Sequence, residues 1–138
     1  MVDLPPGTSD AALTVMQNLP ISGIVMVTTP QALATMVVNK AVQMARSLNV
    51  PVIGIIENMA GFWAEDTGRQ YDIFGPSHSQ EVAKLAGAPS LAQLPLRSNL
   101  AALYDAGMLE TAEVPEISPL VKALETVSSN AVALNIQS

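Results

Sequence analysis

The chain has 138 residues, 49% of them hydrophobic and 13% charged, with a formal net charge of −6. That length sets one domain as the expectation, and the acidic balance argues against generic binding to nucleic acid or an anionic membrane surface. The absence of cysteine excludes a disulfide framework, a zinc–thiolate site and a cysteine nucleophile.

No apolar run reaches the length of a membrane span, and no basic-then-apolar leader opens the chain, so a soluble cytoplasmic protein is the expectation. The charged fraction is low against about a quarter in typical domains, which suits a surface partly covered by another segment or subunit. No internal repeat or low-complexity segment stands out.

Val2-Asp3-Leu4-Pro5-Pro6-Gly7-Thr8-Ser9-Asp10 reads as a strand end, a rigid turn and a helix start. The prolines fix φ and remove donors, which stops a strand. Gly7 lets the backbone approach something closely, and Thr8, Ser9 or Asp10 can cap the helix that follows. Ala11, Leu13, Met16 and Leu19 recur at helical spacing until Pro20. Ile24 to Thr29, bounded by Gly23 and Pro30, is a continuous apolar run of strand length, as in a strand buried on both faces of a parallel sheet.

Gln31 to Leu48 is a long helical pattern whose methionines fit core filling. Val52 to Met59 is a second buried strand with a polar end, Glu57-Asn58. Residues 60–76 change character. Gly61, Gly68, Gly75 and Pro76 punctuate a polar stretch that holds Phe62, Trp63, Tyr71 and Phe74, with Asp66-Thr67-Gly68 as a turn tip and Tyr71–Phe74 pairing back as a short strand. Ser77 to Leu85 is a helix capped by Ser77 or Ser79, Ser90 to Leu96 a short last strand, and Asn99 to Ala106 a helical turn or two. Ser118-Pro119 opens a final helix, with its apolar stripe on Leu120, Ala123, Leu124, Val127, Ala131 and Leu134.

The expected order is β-α-β-α-β-hairpin-α-β-α, an α/β fold with a parallel sheet and flanking helices. Asp3, Thr28-Thr29, Glu57-Asn58 and the Pro95-Leu96 region all end predicted parallel strands. They converge on one edge, where doubly wound proteins bind ligands.

The Asp-x-Pro-Pro-Gly-Thr-Ser-Asp stretch at Asp3 resembles the second nucleotide motif of the deviant P-loop ATPases of the MinD/ParA superfamily, and more narrowly the Mrp/ApbC-type iron-sulfur carrier ATPases. Glu57-Asn58-Met59, Ile73-Phe74-Gly75 and Leu94-Pro95-Leu96 continue the resemblance to about residue 109 of 138. It implies a P-loop NTPase-like sheet with a small β-hairpin insertion, ATP with Mg²⁺, a homo-oligomer, and iron-sulfur client or scaffold proteins. It assigns Mg²⁺, through water, to Asp3, which would be the catalytic residue. The γ-phosphate falls to the Pro6-Gly7 turn, the adenine to Asn58, and the flanks of the base to Leu94, Pro95 and Leu96. By composition alone, Asn58 reads first as a turn former at a strand end; the Asp3 motif and Ile73-Phe74-Gly75 beside it turn the reading toward the base.

Two departures qualify the resemblance. A Walker-type loop needs glycine-rich N–H groups, a lysine on the phosphates and a Ser or Thr on Mg²⁺, and none of Lys40, Lys84 and Lys122 follows a glycine. The family's loop precedes the Asp3 motif, so residues 1–138 read as the C-terminal part of the ATPase domain, with the hairpin insertion at 60–76 and a terminal helix at 118–136, inactive by itself. The family's Phe-x-Cys-Pro-x-Cys-Gly loop reads Phe62-Trp63-Ala64-Glu65-Asp66-Thr67-Gly68 here. Ala64 and Thr67 stand at the cysteine positions, so this chain is not expected to ligate a cluster. Glu65 and Asp66 read as an exposed acidic turn and His78 as structural or solvent-facing.

In the family's sheet order the phosphate-loop strand lies between the Asp3 strand and the Ile24 strand, so its loss predicts a sticky, unpaired edge. A ParA/MinD-like positioning or regulatory ATPase fragment and a non-enzymatic partner-binding remnant stand as alternatives. The last helix lacks the basic face of a membrane-binding helix.

Overall fold

The structure is a computed structural model and describes residues 1–136. The elements run α1 (Asp10–Asn18), β1 (Ile24–Thr28), α2 (Ala32–Ser47), β2 (Val52–Ala64), β3 (Arg69–Tyr71), α3 (Ser79–Ala86), β4 (Ser90–Leu96), α4 (Ser98–Asp105), two 3₁₀ turns (Leu109–Thr111 and Pro115–Ile117) and α5 (Ser118–Ile136). The expected α/β architecture is present. Strand β2 is central, with β1 parallel on one side and β4 parallel on the other. The short β3 returns antiparallel along the distal half of β2, which makes the sheet mixed. Phe62 pairs with Tyr71 on one side and Leu96 on the other, so β3 continues along the edge that β1 occupies.

The core follows from side-chain alternation. Met26 of β1 and Ile55 of β2 are register neighbours and point into one apolar cluster with Met16 of α1, Val38, Val42 and Ala45 of α2, and Val82, Ala83 and Ala86 of α3. Helices α1 to α3 therefore cover one face. The α2 positions 38, 42 and 45 recur at i, i+4, i+7, the stripe its periodicity predicts. Ile56 and Leu91 are buried on the opposite face, where α5 and the second 3₁₀ turn lie against β2 and β4. That cover does not reach β1: Val27 is 60% exposed.

Helix ends are held locally. The Ser9 side chain accepts the Ala12 N–H at 3.3 Å and caps α1. Past α2, Asn49 adopts φ 56 while the Val50 and Asn49 amides return to the carbonyls of Ala45 and Arg46, a Schellman stop with Asn in place of Gly. Arg46 then reaches across to donate to the Leu85 carbonyl at 2.6 Å, which satisfies the end of α3.

Three expectations change. Val2-Asp3-Leu4 is irregular rather than a strand, because an extended segment becomes a strand only against a neighbour's ladder, and the outer edge of β1 is unpaired among the described residues. Strand β2 does not stop at Asn58 but runs 13 residues to Ala64, and its partner β3 is Arg69–Tyr71 rather than Tyr71–Phe74. Helix α3 starts at Ser79, with His78 at the N-cap and no side-chain cap bond. The Ala131 and Leu134 part of the final apolar stripe lies outside the residues whose side chains are described.

Candidate functional site at the carboxyl edge of the sheet

Register places polar residues in rows across the carboxyl ends of the three parallel strands. Thr28 of β1 is opposite Glu57 of β2, which is opposite Gln93 of β4. One residue further, Asn58 is opposite Leu94. The two rows face opposite sides of the sheet, because side chains alternate along β2.

The Glu57 row is knitted to α3, with Gln93 at its exposed end. Glu57 is fully buried and Thr28 nearly so. The Oε1 of Glu57 accepts the His78 backbone N–H at 2.9 Å, at the start of α3. There the helix dipole favours negative charge and a free N–H needs an acceptor. The Gln93 amide donates to the hydroxyls of both Ser77 and Ser79 at 2.7 Å, and the Ser77 hydroxyl also accepts the Ser79 N–H at 3.3 Å. The Oε2 of Glu57 has no donor among the described residues. A buried polar oxygen without a partner costs on the order of 1–3 kcal/mol.

The Asn58 row is open. Asn58 is exposed, and its Oδ1 accepts the N–H of the next residue, Met59, at 2.9 Å. That leaves its Nδ2 donors facing outward, with no protein acceptor among the described residues. Met59 holds φ 58 and Gly61 φ 87. The left-handed region is uncommon for a residue with a Cβ, so the chain makes a sharp local bend. The β2–β4 register shifts at the same point, between Asn58 and Phe62. Beyond the bend β2 enters the hairpin. The Gln70 side chain donates to the Ala60 carbonyl at 2.6 Å, and a Cβ on Gly61 would meet the Tyr71 carbonyl at 2.9 Å, so β3 is clamped to the bend.

The sequence-predicted residues thus divide. Asn58 and Leu94 are neighbours, Pro95 follows, and Leu96 is opposite Phe62, past the bend. Pro95 is tolerated because β4 is an edge strand among the described residues. Asp3, Pro6 and Gly7 lie outside these rows, on the irregular segment before α1. Asp3 and Pro6 are exposed, Leu4 packs on the core, and Gly7 at φ 81 approaches Val37 of α2. In the sequence Glu57 is only a polar strand end, and Met59 only the last residue of the Glu57-Asn58-Met59 match. The apolar run ending in Glu-Asn-Met was the available signal for both.

Among the described residues, no three His, Asp or Glu side chains gather as a metal site, and no helix is long and apolar enough to cross a membrane. Two open grooves of about 350 and 380 Å³ flank α3 and β4. They share Gln80 and Ser90, and neither is lined by Asn58 or Asp3.

Residues 1–132 match the model of the ParA family described as NUBPL iron-transfer P-loop NTPase. The chain is 38% identical over 129 residues to an iron-sulfur cluster carrier protein of Methanocaldococcus jannaschii, covering 90% of this chain and 44% of that one. It is 40% identical over 126 residues to an iron-sulfur cluster carrier protein of Clostridium perfringens, with the same two shares. It is 43% identical over 115 residues to the chloroplastic Fe-S cluster assembly factor HCF101 of Arabidopsis thaliana, of which it covers 21%. Among solved structures, a nucleotide-binding protein of Archaeoglobus fulgidus in complex with ADP aligns with TM-score 0.74 and 40% identity, over 83% of this chain and 47% of that one. The chain therefore spans less than half the length of these relatives.

Proposed function

Because this chain belongs to the ParA family of NUBPL iron-transfer P-loop NTPases, we propose that it supplies the base-binding side of a nucleotide site in an iron-sulfur cluster carrier ATPase. The observation that carries this reading is the open Asn58–Leu94 pair at the carboxyl edge of the parallel strands. The outward Nδ2 donors of Asn58 suit a ring-nitrogen acceptor of adenine, and Leu94, Pro95 and Leu96 give the base an apolar flank. The ADP bound to the Archaeoglobus fulgidus relative supports the same ligand class.

The residues here fit half of the site. Asp3 would hold Mg²⁺ through water and the Pro6-Gly7 turn would meet the γ-phosphate. No lysine of the chain follows a glycine, so the phosphate side has no Walker loop here. These residues would bind nucleotide without hydrolysing it, and the complete site needs a phosphate loop that the 138 residues do not contain. The cluster itself would be cargo. With no cysteine in the chain, and with Ala64 and Thr67 at the hairpin positions, no thiolate of this chain ligates it.

Titration calorimetry with ADP and with Mg²⁺-ATP, using AMP as the base-weighted control, tests the reading. Heat with each nucleotide that Asn58→Ala abolishes supports it. No heat at millimolar nucleotide removes the function from this chain.

A further inference from the structure

Asn58 sits between a fixed residue and a strained one. On one side Glu57 is buried and bonded to the start of α3. On the other, Met59 holds a left-handed backbone at φ 58, and the Asn58 Oδ1 accepts its N–H. A non-glycine residue in that region is strained and persists only where its surroundings support it. The Asn58 side chain is part of that support.

We propose that the Asn58–Met59 bend couples base occupancy to the position of the β2–β3 hairpin. The inference rests on the nucleotide reading above. An adenine edge offers both an N–H donor and a ring-nitrogen acceptor, and a bidentate contact uses both the oxygen and the nitrogen of an Asn amide. When Oδ1 turns to the base it leaves the Met59 N–H, and the left-handed conformation loses its local partner. Upstream, Glu57 cannot follow, because the His78 N–H holds its Oε1 in a dry environment. The change therefore runs downstream into Ala60–Ala64. Gly61, already at φ 87, offers little resistance, and the Gln70 bond to the Ala60 carbonyl carries the movement into β3. The two states are the bend with its Asn58–Met59 bond made and the bend with that bond exchanged for the base. The ligand favours the second because it alone contacts the freed oxygen.

Trp63, the one tryptophan of the chain, lies in the moving segment and reports on it. The experiment titrates ADP into the full 138-residue chain and follows calorimetric heat and Trp63 emission together, in wild type, Met59→Gly and Met59→Ala. Glycine adopts φ 58 without cost, so Met59→Gly folds and keeps the bend in both states. Alanine retains the Cβ and hence the strain. The expected result is a Trp63 change at saturating ADP in wild type that Met59→Ala preserves and that falls about threefold or more in Met59→Gly. Equal amplitudes in wild type and Met59→Gly overturn the coupling, as does ADP heat in wild type with no change in Trp63. Absence of heat in wild type defeats the nucleotide reading itself, and the coupling with it, so the calorimeter separates the two failures.

Discussion

Alanine at Gly54 tests whether the β2–β4 approach sets the register that brings Leu94 beside Asn58. A Cβ there would sit 2.5 Å from Leu91 Cγ and 3.0 Å from the Pro89 carbonyl oxygen. Neither neighbour yields freely. Leu91 is buried, and the Pro89 oxygen already accepts the Ile55 N–H at 2.8 Å, a bond that a retreating strand would stretch. Overpacking of this kind costs about 1–3 kcal/mol. The backbone at Gly54 is not left-handed, so alanine regains about 0.4–1 kcal/mol by restricting the unfolded chain. The net expectation is a destabilisation of about 1–2 kcal/mol, or about 3–8 °C in Tm for a domain of this size. Thermal melts by circular dichroism and calorimetry measure it. In a Leu91→Ala background only the Pro89 carbonyl contact remains, and the cost of Gly54→Ala should fall to about half or less. A Gly54→Ala chain that melts at or above wild type, or a penalty unchanged by Leu91→Ala, would refute the steric account.

Two further outcomes follow from the edges and ends of the fold. Alternation puts the N–H of Ile24 on the Pro51 carbonyl at 2.9 Å and so turns the amides of Val25 and Val27 to the unpaired side of β1. Wild type should therefore show concentration-dependent sedimentation that Val27→Lys suppresses without lowering Tm, since edge lysines block strand addition and Val27 is already exposed. Ser9→Ala removes the acceptor of the Ala12 N–H and should cost about 0.5–1 kcal/mol in urea unfolding, with the slope unchanged.

Much of this fold was legible from the chain because its signals are local. Pro89 and the polar Arg97-Ser98 pair bracket β4, and the observed strand is the expected Ser90–Leu96. The Gly23 and Pro30 boundaries did the same for β1 to within a residue. What the chain hid was non-local. Val2-Asp3-Leu4 has strand propensity and no ladder partner, and pairing rather than propensity makes a strand. The polar Glu57-Asn58 pair read as a stop, yet β2 continues because β3 and β4 offer it hydrogen bonds on both sides at Phe62. In the sequence Glu57 is only a polar strand end. Its acceptor role depends on His78, which only the folded chain brings close. The bend at Met59 was invisible, since methionine carries no preference for a left-handed backbone.

The sheet's parallel strands also set the order in which the molecule can assemble. Pairing Ile24 with Val52, or Ile55 with Ser90, must wait until a helix and its loops have folded back, a slow closure over non-local contacts. Among the described residues only the pairing of Phe62–Ala64 with Arg69–Tyr71 is local, and hairpins of this kind close in about 1–10 μs. The aromatic hairpin is thus the natural first event, and the distal half of β2 is templated before the half that carries Glu57. Until β1 docks, the nascent chain shows the strand edges of β2, and each newly made molecule passes through an interval in which chaperone capture competes with completion of the sheet.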